Sequence, residues 1–141
     1  MGNPQEQSDI YQVNEIFYSI QGEGYWSGRP AVFIRLTGCN LRCDFCDTEF
    51  LTGIEMSAED ILNEVQTKPA KFVVLTGGEP LMQDTRALAK ILHNHGYYLT
   101  VETNGMFTPG HHYFDWVTVS PKNDQTVIKN CNEVKCIVGI E

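Results

Sequence analysis

Three cysteines, Cys39, Cys43 and Cys46, stand in a Cys-x3-Cys-x2-Cys run. Thiolates are soft ligands that select zinc, copper(I) or iron–sulfur clusters. A structural zinc site closes with four ligands, and four-iron clusters usually take four cysteines. Three local thiols would leave one iron open to a substrate or cofactor. The zinc alternative needs a fourth ligand; His93, His95, His111 and His112 are the candidates, none at a finger-like spacing. Two further stretches carry usable groups. In Gly77-Gly78-Glu79-Pro80 a glycine pair lets backbone approach a ligand closely, and Glu79 offers negative charge to an ammonium. In Glu102-Thr103-Asn104-Gly105 a carboxylate and an amide could bind ribose hydroxyls, or simply form a solvated strand end. Arg35 lies within the apolar Phe33-Ile34-Arg35-Leu36, where an unpaired charge is costly. It suits either a bound carboxylate or heterocycle edge, or an internal ion pair.

The elements that must position these groups alternate. Residues 1–12 read as a flexible leader and 13–141 as one domain. Val13–Ser19 has strand-like residues and is expected at a sheet edge or barrel end. The loop Gln21–Gly28 carries three glycines. A strand over Ala31–Thr37 delivers the chain to the thiols, and 50–56 reads as a connection. Ser57 is placed to cap a helix whose face is Ile61, Leu62 and Val65. A strand over Lys71–Thr76 precedes the glycine pair. Asp84 can cap a second helix with the stripe Leu88, Ile91 and Leu92, stopped by Gly96. Further strands are expected at Tyr97–Thr103, Trp116–Ser120 and Glu133–Val138. Strands alternating with helices or long crossovers imply an α/β fold with a parallel sheet. The polar groups fall where those strands end, which is where parallel α/β folds bind ligands.

Composition limits the alternatives. The chain has 141 residues, a formal charge of −8 and 42% hydrophobic residues. That balance fits a soluble acidic protein and argues against nonspecific nucleic-acid binding, which needs a basic footprint. No apolar run approaches the ~18 residues of a membrane span, and the first residues lack a signal-peptide core. Five cysteines then point to a reducing, cytoplasmic setting. Cys131 and Cys136 are expected to be small buried hydrophobes.

Together with Ile20-Gln21-Gly22-Glu23-Gly24, Phe33-Ile34-Arg35-Leu36 and Cys46-Asp47-Thr48, the cysteine spacing resembles the radical S-adenosylmethionine (SAM) superfamily. Within it the chain looks like the 7-carboxy-7-deazaguanine synthase family, from Val13 to the last residue. The resemblance implies a partial (β/α) barrel with a parallel sheet. It implies a [4Fe–4S] cluster on Cys39, Cys43 and Cys46, with SAM on the remaining iron and a 5′-deoxyadenosyl radical as the product of its cleavage. SAM contacts would come from Phe45, Cys46, Asp47, Gly78, Glu79, Glu102, Asn104, Ser120, Pro121 and Lys122. Thr48 would ligate Mg²⁺, with substrate oxygens and water completing the shell. Substrate, 6-carboxy-5,6,7,8-tetrahydropterin, would meet Ile20, Gln21, Gly22, Glu23, Arg35 and Thr76. The implied reaction is a ring contraction to 7-carboxy-7-deazaguanine with loss of ammonia, on the route to queuosine and other deazapurines.

Against that family the chain stops early, at Gly139-Ile140-Glu141. A barrel lacking its last strand is therefore expected, either a fragment or one completed by a homodimer partner. A flavodoxin-like protein is the implied electron donor. Two other functions fit the thiols: an activating enzyme for a glycyl-radical protein, and a non-catalytic iron–sulfur or zinc module.

Overall fold

The computed structural model describes residues 9–38, 53–107, 113–122, 126 and 130–136. The described elements are β1 (Ile10–Ile20), β2 (Pro30–Leu36), β3 (Ile54–Ser57), α1 (Ala58–Gln66), β4 (Phe72–Gly77), α2 (Arg86–Asn94), β5 (Tyr98–Thr103), β6 (Trp116–Val119) and β7 (Glu133–Val134), with one 3₁₀ turn at Pro80–Met82. They form a sheet in the order β3-β1-β2-β4-β5-β6-β7. From β2 to β7 every neighbouring pair is parallel. At the other edge β1 runs antiparallel to both β2 and β3. The β1–β2 link, Gln21–Arg29, makes a hairpin and is too short for a parallel crossover.

Both helices pack on one face of the sheet. Ile61, Leu62 and Val65 of α1 and Leu88, Ala89 and Leu92 of α2 bury against Val32, Ile34, Leu36, Val73, Leu75, Leu99, Val101, Val117 and Val119. Because side chains alternate across a strand, the residues between these point to the helix-free face. Strand register sorts them into layers, as inward side chains are layered in a barrel. One row runs Glu15–Arg35–Thr76–Glu102–Thr118–Glu133. The next is Phe17–Phe33–Val74–Thr100–Trp116. Beyond it Phe72 stacks on Tyr98 with ring centroids 5.2 Å apart. The helix-free face thus passes from a charged layer to an aromatic floor.

Sequence expectations hold at α1, where Ser57 and Asp60 form a reciprocal capping box, and at Gly96, whose φ of 83° suits only glycine after a helix. Others need correcting. The first strand starts at Ile10 rather than Val13, and Tyr11 is buried beneath it. The expected connection 50–56 contains an edge strand at Ile54–Ser57, recruited by pairing with Ile10–Val13. Asp84 is not the cap residue of α2. Thr85 holds that position without a side-chain bond, while Asp84 accepts from the Arg86 amide at 3.2 Å and the buried Tyr11 hydroxyl accepts from Leu88 at 3.1 Å. Burial pushes the Tyr11 phenol up to about 12. Cys131 and Cys136 are free and exposed, not buried, because they flank the two-residue strand β7 outside both core clusters.

Candidate active site

Glu102 is the centre of the helix-free face. Its Oε1 accepts from the Thr76 hydroxyl at 3.3 Å. Its Oε2 accepts from the Gln21 side-chain amide and from the Lys135 ammonium, each at 3.2 Å. Lys135 also donates to Glu23 Oε2 at 3.0 Å. β5 brings Glu102, β4 brings Thr76, and the turn leaving β7 brings Lys135. The hairpin loop supplies Gln21 and Glu23. Burial works against the Lys135 ammonium, but Glu102 and Glu23 outweigh it and hold the group above its ordinary value.

The hairpin loop lies across this face as a strap. Besides Gln21 and Glu23, the Tyr25 amide donates to Glu133 at 2.6 Å, and Glu133 also accepts from Thr118 at 3.0 Å. The carboxylate of Glu133 sits directly against Gly24, whose φ is 74°, so any side chain there would displace it. Farther on, Tyr25 stacks on Trp116 and Trp26 meets Phe72, Tyr98 and Trp116 edge-on. Arg29 covers the Phe72 ring at 4.8 Å. The indole N–H groups of Trp26 and Trp116 are buried there without a hydrogen-bond partner among the described residues.

The residues expected to touch substrate divide. Gln21, Glu23 and Thr76 converge on Glu102. Arg35 belongs to the same row, held loosely by Glu15 at 3.9 Å and lying over Phe17 at 5.9 Å. Its side chain is 30% exposed, so the ion pair leaves the guanidinium reachable. Ile20 pairs with Pro30 at the hairpin end and is 60% exposed, apart from the Glu102 cluster. Gly22 lies in the strap, exposed. Glu102, expected among ribose contacts, is bonded to Gln21 and Thr76, both expected at substrate. Lys135 and Glu133 were missed, since neither belongs to a motif and only strand register brings them in.

The second set of groups surrounds the β4 glycines. The Glu79 amide donates to the Gly38 carbonyl at 2.6 Å. A Cβ on Gly78 would collide with that same carbonyl, and one on Gly77 with Leu36 backbone. This close approach is what two glycines permit. Gly38 directly precedes Cys39 in the chain, so the glycine loop is seated at the start of the cysteine run. The expectation for Glu79 is a negative charge offered to an ammonium. Its carboxylate is buried and turned inward, accepting from Leu81 at 2.9 Å, the Thr103 hydroxyl at 2.7 Å and the Asn104 amide at 2.7 Å. Donors from the 3₁₀ turn and the β5 end hold the carboxylate in this pose, where it braces the loop. Burial raises its carboxyl above the ordinary range, opposed by those three donors and by Lys122 nearby.

Asn104 is also buried, its side-chain oxygen accepting from Met106 at 3.0 Å. Ser120 donates its amide to Thr103 at 2.8 Å, which starts Ser120-Pro121-Lys122 beside the β5 end. Cys39, Cys43, Phe45, Cys46, Asp47 and Thr48 lie outside the described residues. Among the described residues no group of three or more His, Cys, Asp or Glu could hold a metal ion. His93 is engaged with Asp115 and His95 with the Ile91 carbonyl, each at 2.8 Å. No helix among the described residues is long and apolar enough to cross a membrane.

Comparison with known proteins places these features in a family. The radical SAM superfamily matches residues 33–115. The 7-carboxy-7-deazaguanine synthase of Bacteroides thetaiotaomicron is 50% identical over 127 residues, covering 89% of this chain and 69% of that protein. That of Neisseria meningitidis serogroup B is 41% identical over 142 residues, covering 96% of this chain and 64% of the relative. A Synechocystis synthase is 39% identical and is covered over 65% of its length. The crystal structure of QueE from Escherichia coli superposes with a TM-score of 0.82 at 34% identity, covering 93% of this chain and 72% of that one.

Proposed function

The chain belongs to the 7-carboxy-7-deazaguanine synthase family of the radical SAM superfamily, and on that premise we propose that it converts 6-carboxy-5,6,7,8-tetrahydropterin to 7-carboxy-7-deazaguanine with loss of ammonia. The observation that carries the reading is the seating of Gly78 on Gly38. It joins the glycine loop to the cysteine run at the same strand ends that carry the Gln21–Thr76–Glu102–Lys135 cluster.

The donor set suits the implied cofactors. Three thiols fit a [4Fe–4S] cluster that keeps one iron for another ligand, and Cys39, Cys43 and Cys46 would hold it. Gly77 and Gly78, stripped of side chains, leave backbone available to the amino-acid end of SAM, with Glu79 fixing the loop from behind. Asn104, Ser120, Pro121 and Lys122 flank it; Phe45 and Asp47 would complete the SAM contacts. When bound, cluster and SAM supply a carbon radical that takes hydrogen from substrate, chemistry belonging to the cofactor rather than to side chains.

The protein's own task is to bind and orient the pterin. An ionised carboxylate is acceptor-only, so Glu102 and Glu23 suit the N–H donors of a 2-aminopyrimidinone edge. Gln21 and Thr76 can each donate or accept. Arg35 supplies a positive charge to a carboxylate or carbonyl oxygen at the other end of the row. The aromatic floor keeps water from beneath the site. Thr48 would contribute to a Mg²⁺ site together with substrate oxygens. A homodimer and a flavodoxin-like electron donor belong to the same reading.

The test is anaerobic reconstitution with iron and sulfide, then incubation with SAM, reductant and the carboxypterin. The expected result is 5′-deoxyadenosine and the carboxydeazaguanine forming together. Bound zinc in place of iron, or pterin left unchanged while SAM is cleaved, would refute it.

A further inference from the structure

Lys135 is the cation that lies between two carboxylates of this face, Glu23 at 3.0 Å and Glu102 at 3.2 Å. Its backbone is fixed by donation to the Val119 carbonyl at 2.8 Å. The three side chains differ in exposure. Glu102 is 24% exposed and stands on a central strand; Lys135 is 22% exposed; Glu23 is 72% exposed and rides on the strap. An isolated surface pair of this kind contributes little. Here one ammonium is shared by two acids, one of them tied further by Gln21 and Thr76. Without the ammonium between them the two acids would face each other as like charges, which repel.

We propose that Lys135 is a positioning residue that holds Glu23 and Glu102 together as paired acceptors for the N–H edge of the substrate heterocycle. The proposal rests on the pterin reading for the substrate's identity, and on the coordinates alone for the tie between strap and strand. A carboxylate has lone pairs to spare, so the heterocycle can bond both acids while Lys135 keeps them and the strap in place. Charge-assisted bonds of this type are the strong ones, so losing them should appear in affinity. SAM cleavage, seated on the Gly78 side, should not depend on Lys135.

The experiment uses the full chain as Lys135→Met, Lys135→Arg and Glu23→Gln. In hydrogen exchange, Lys135→Met should speed exchange across Gln21–Gly28 while α1 and α2 stay protected, and Lys135→Arg should restore protection. In turnover, Lys135→Met should raise KM for the carboxypterin by about 10-fold or more, with kcat and substrate-free SAM cleavage changed far less. Arginine should recover most of the loss. Glu23→Gln, an exposed change that leaves the core alone, should give a smaller rise in KM in the same direction. An unchanged exchange pattern in Lys135→Met, or an arginine variant no better than methionine, overturns the proposal. So does a loss confined to kcat. Should the parent protein fail to turn over the pterin at all, the functional reading falls, and the exchange arm still decides the role of Lys135.

Discussion

The amide of Glu79 donates to the carbonyl of Gly38 at 2.6 Å, directly before the first thiol of the cysteine run. That bond is possible because Gly78, one residue earlier, has no side chain to strike the same carbonyl. Gly78→Ala should therefore force the two segments apart. Overpacking of this kind costs about 1–3 kcal/mol. The expected phenotype is a modest loss in urea stability and a larger loss of reconstituted iron and SAM binding. Normal iron content and SAM affinity in this variant would contradict the assigned contact.

Glu79 makes a second prediction. Three protein donors end on its buried carboxylate. Glu79→Ala would orphan them, at about 1–3 kcal/mol for each buried unsatisfied group. The pH dependence follows from its raised pKa, due first to burial. Between the ordinary and the raised value the folded state holds more protons than the unfolded one. Stability from this group is therefore complete below the ordinary carboxylate range and declines as pH rises through the raised value. Urea titrations across that window should show the slope in the parent protein and lose it in Glu79→Gln.

Lys135 has the opposite sign of charge and its own window. Its folded value is raised, so its contribution is fully present below the unfolded lysine value of 10.5 and fades as pH climbs through the folded one. Alkaline unfolding should come earlier in Lys135→Met. If alkaline midpoints of the two proteins coincide, the ion triad contributes nothing to stability.

The aromatic floor gives a separable prediction. The Trp26 indole N–H is buried without a partner among the described residues. Trp26→Phe removes that unsatisfied donor along with some packing, and the two effects oppose each other. Trp26→Ala removes the ring from Phe72, Tyr98 and Trp116 altogether, a change that typically costs about 3–5 kcal/mol. Chemical denaturation should place the phenylalanine variant close to the parent and the alanine variant far below. Equal losses in both would show that the indole nitrogen is satisfied after all.

Glu102→Gln should keep the fold, since amide and carboxylate are alike in shape and Lys135 retains Glu23. Substrate-free SAM cleavage should persist while KM for the pterin rises. Loss of both activities together would move Glu102 out of the substrate site.

Much of this was legible in the sequence where a local rule governs. Ser57 with Asp60, Gly96, and the alternation of apolar runs with helices each report a short-range preference, and the parallel strands followed from them. Long-range pairing was not legible. Ile54–Ser57 becomes a strand only because β1 offers an edge. The first amides of α2 are served partly by Tyr11, far away in sequence. In the site, the motif announced that Glu79 is acidic but not that Thr103 and Asn104 would turn it inward. Lys135 carries no motif; it reaches Glu102 because β6 and β7 are in register at Thr118 and Glu133.

The stacking of rows on the helix-free face has a practical corollary. Thr118 and Arg35 sit one layer away from Phe33 and Trp116 and two from the Phe72–Tyr98 stack. The polar groups proposed to meet substrate and the aromatic packing therefore occupy different tiers of the same strands. A directed library restricted to the upper tier could retune which heterocycle is accepted while the masonry beneath it stays untouched.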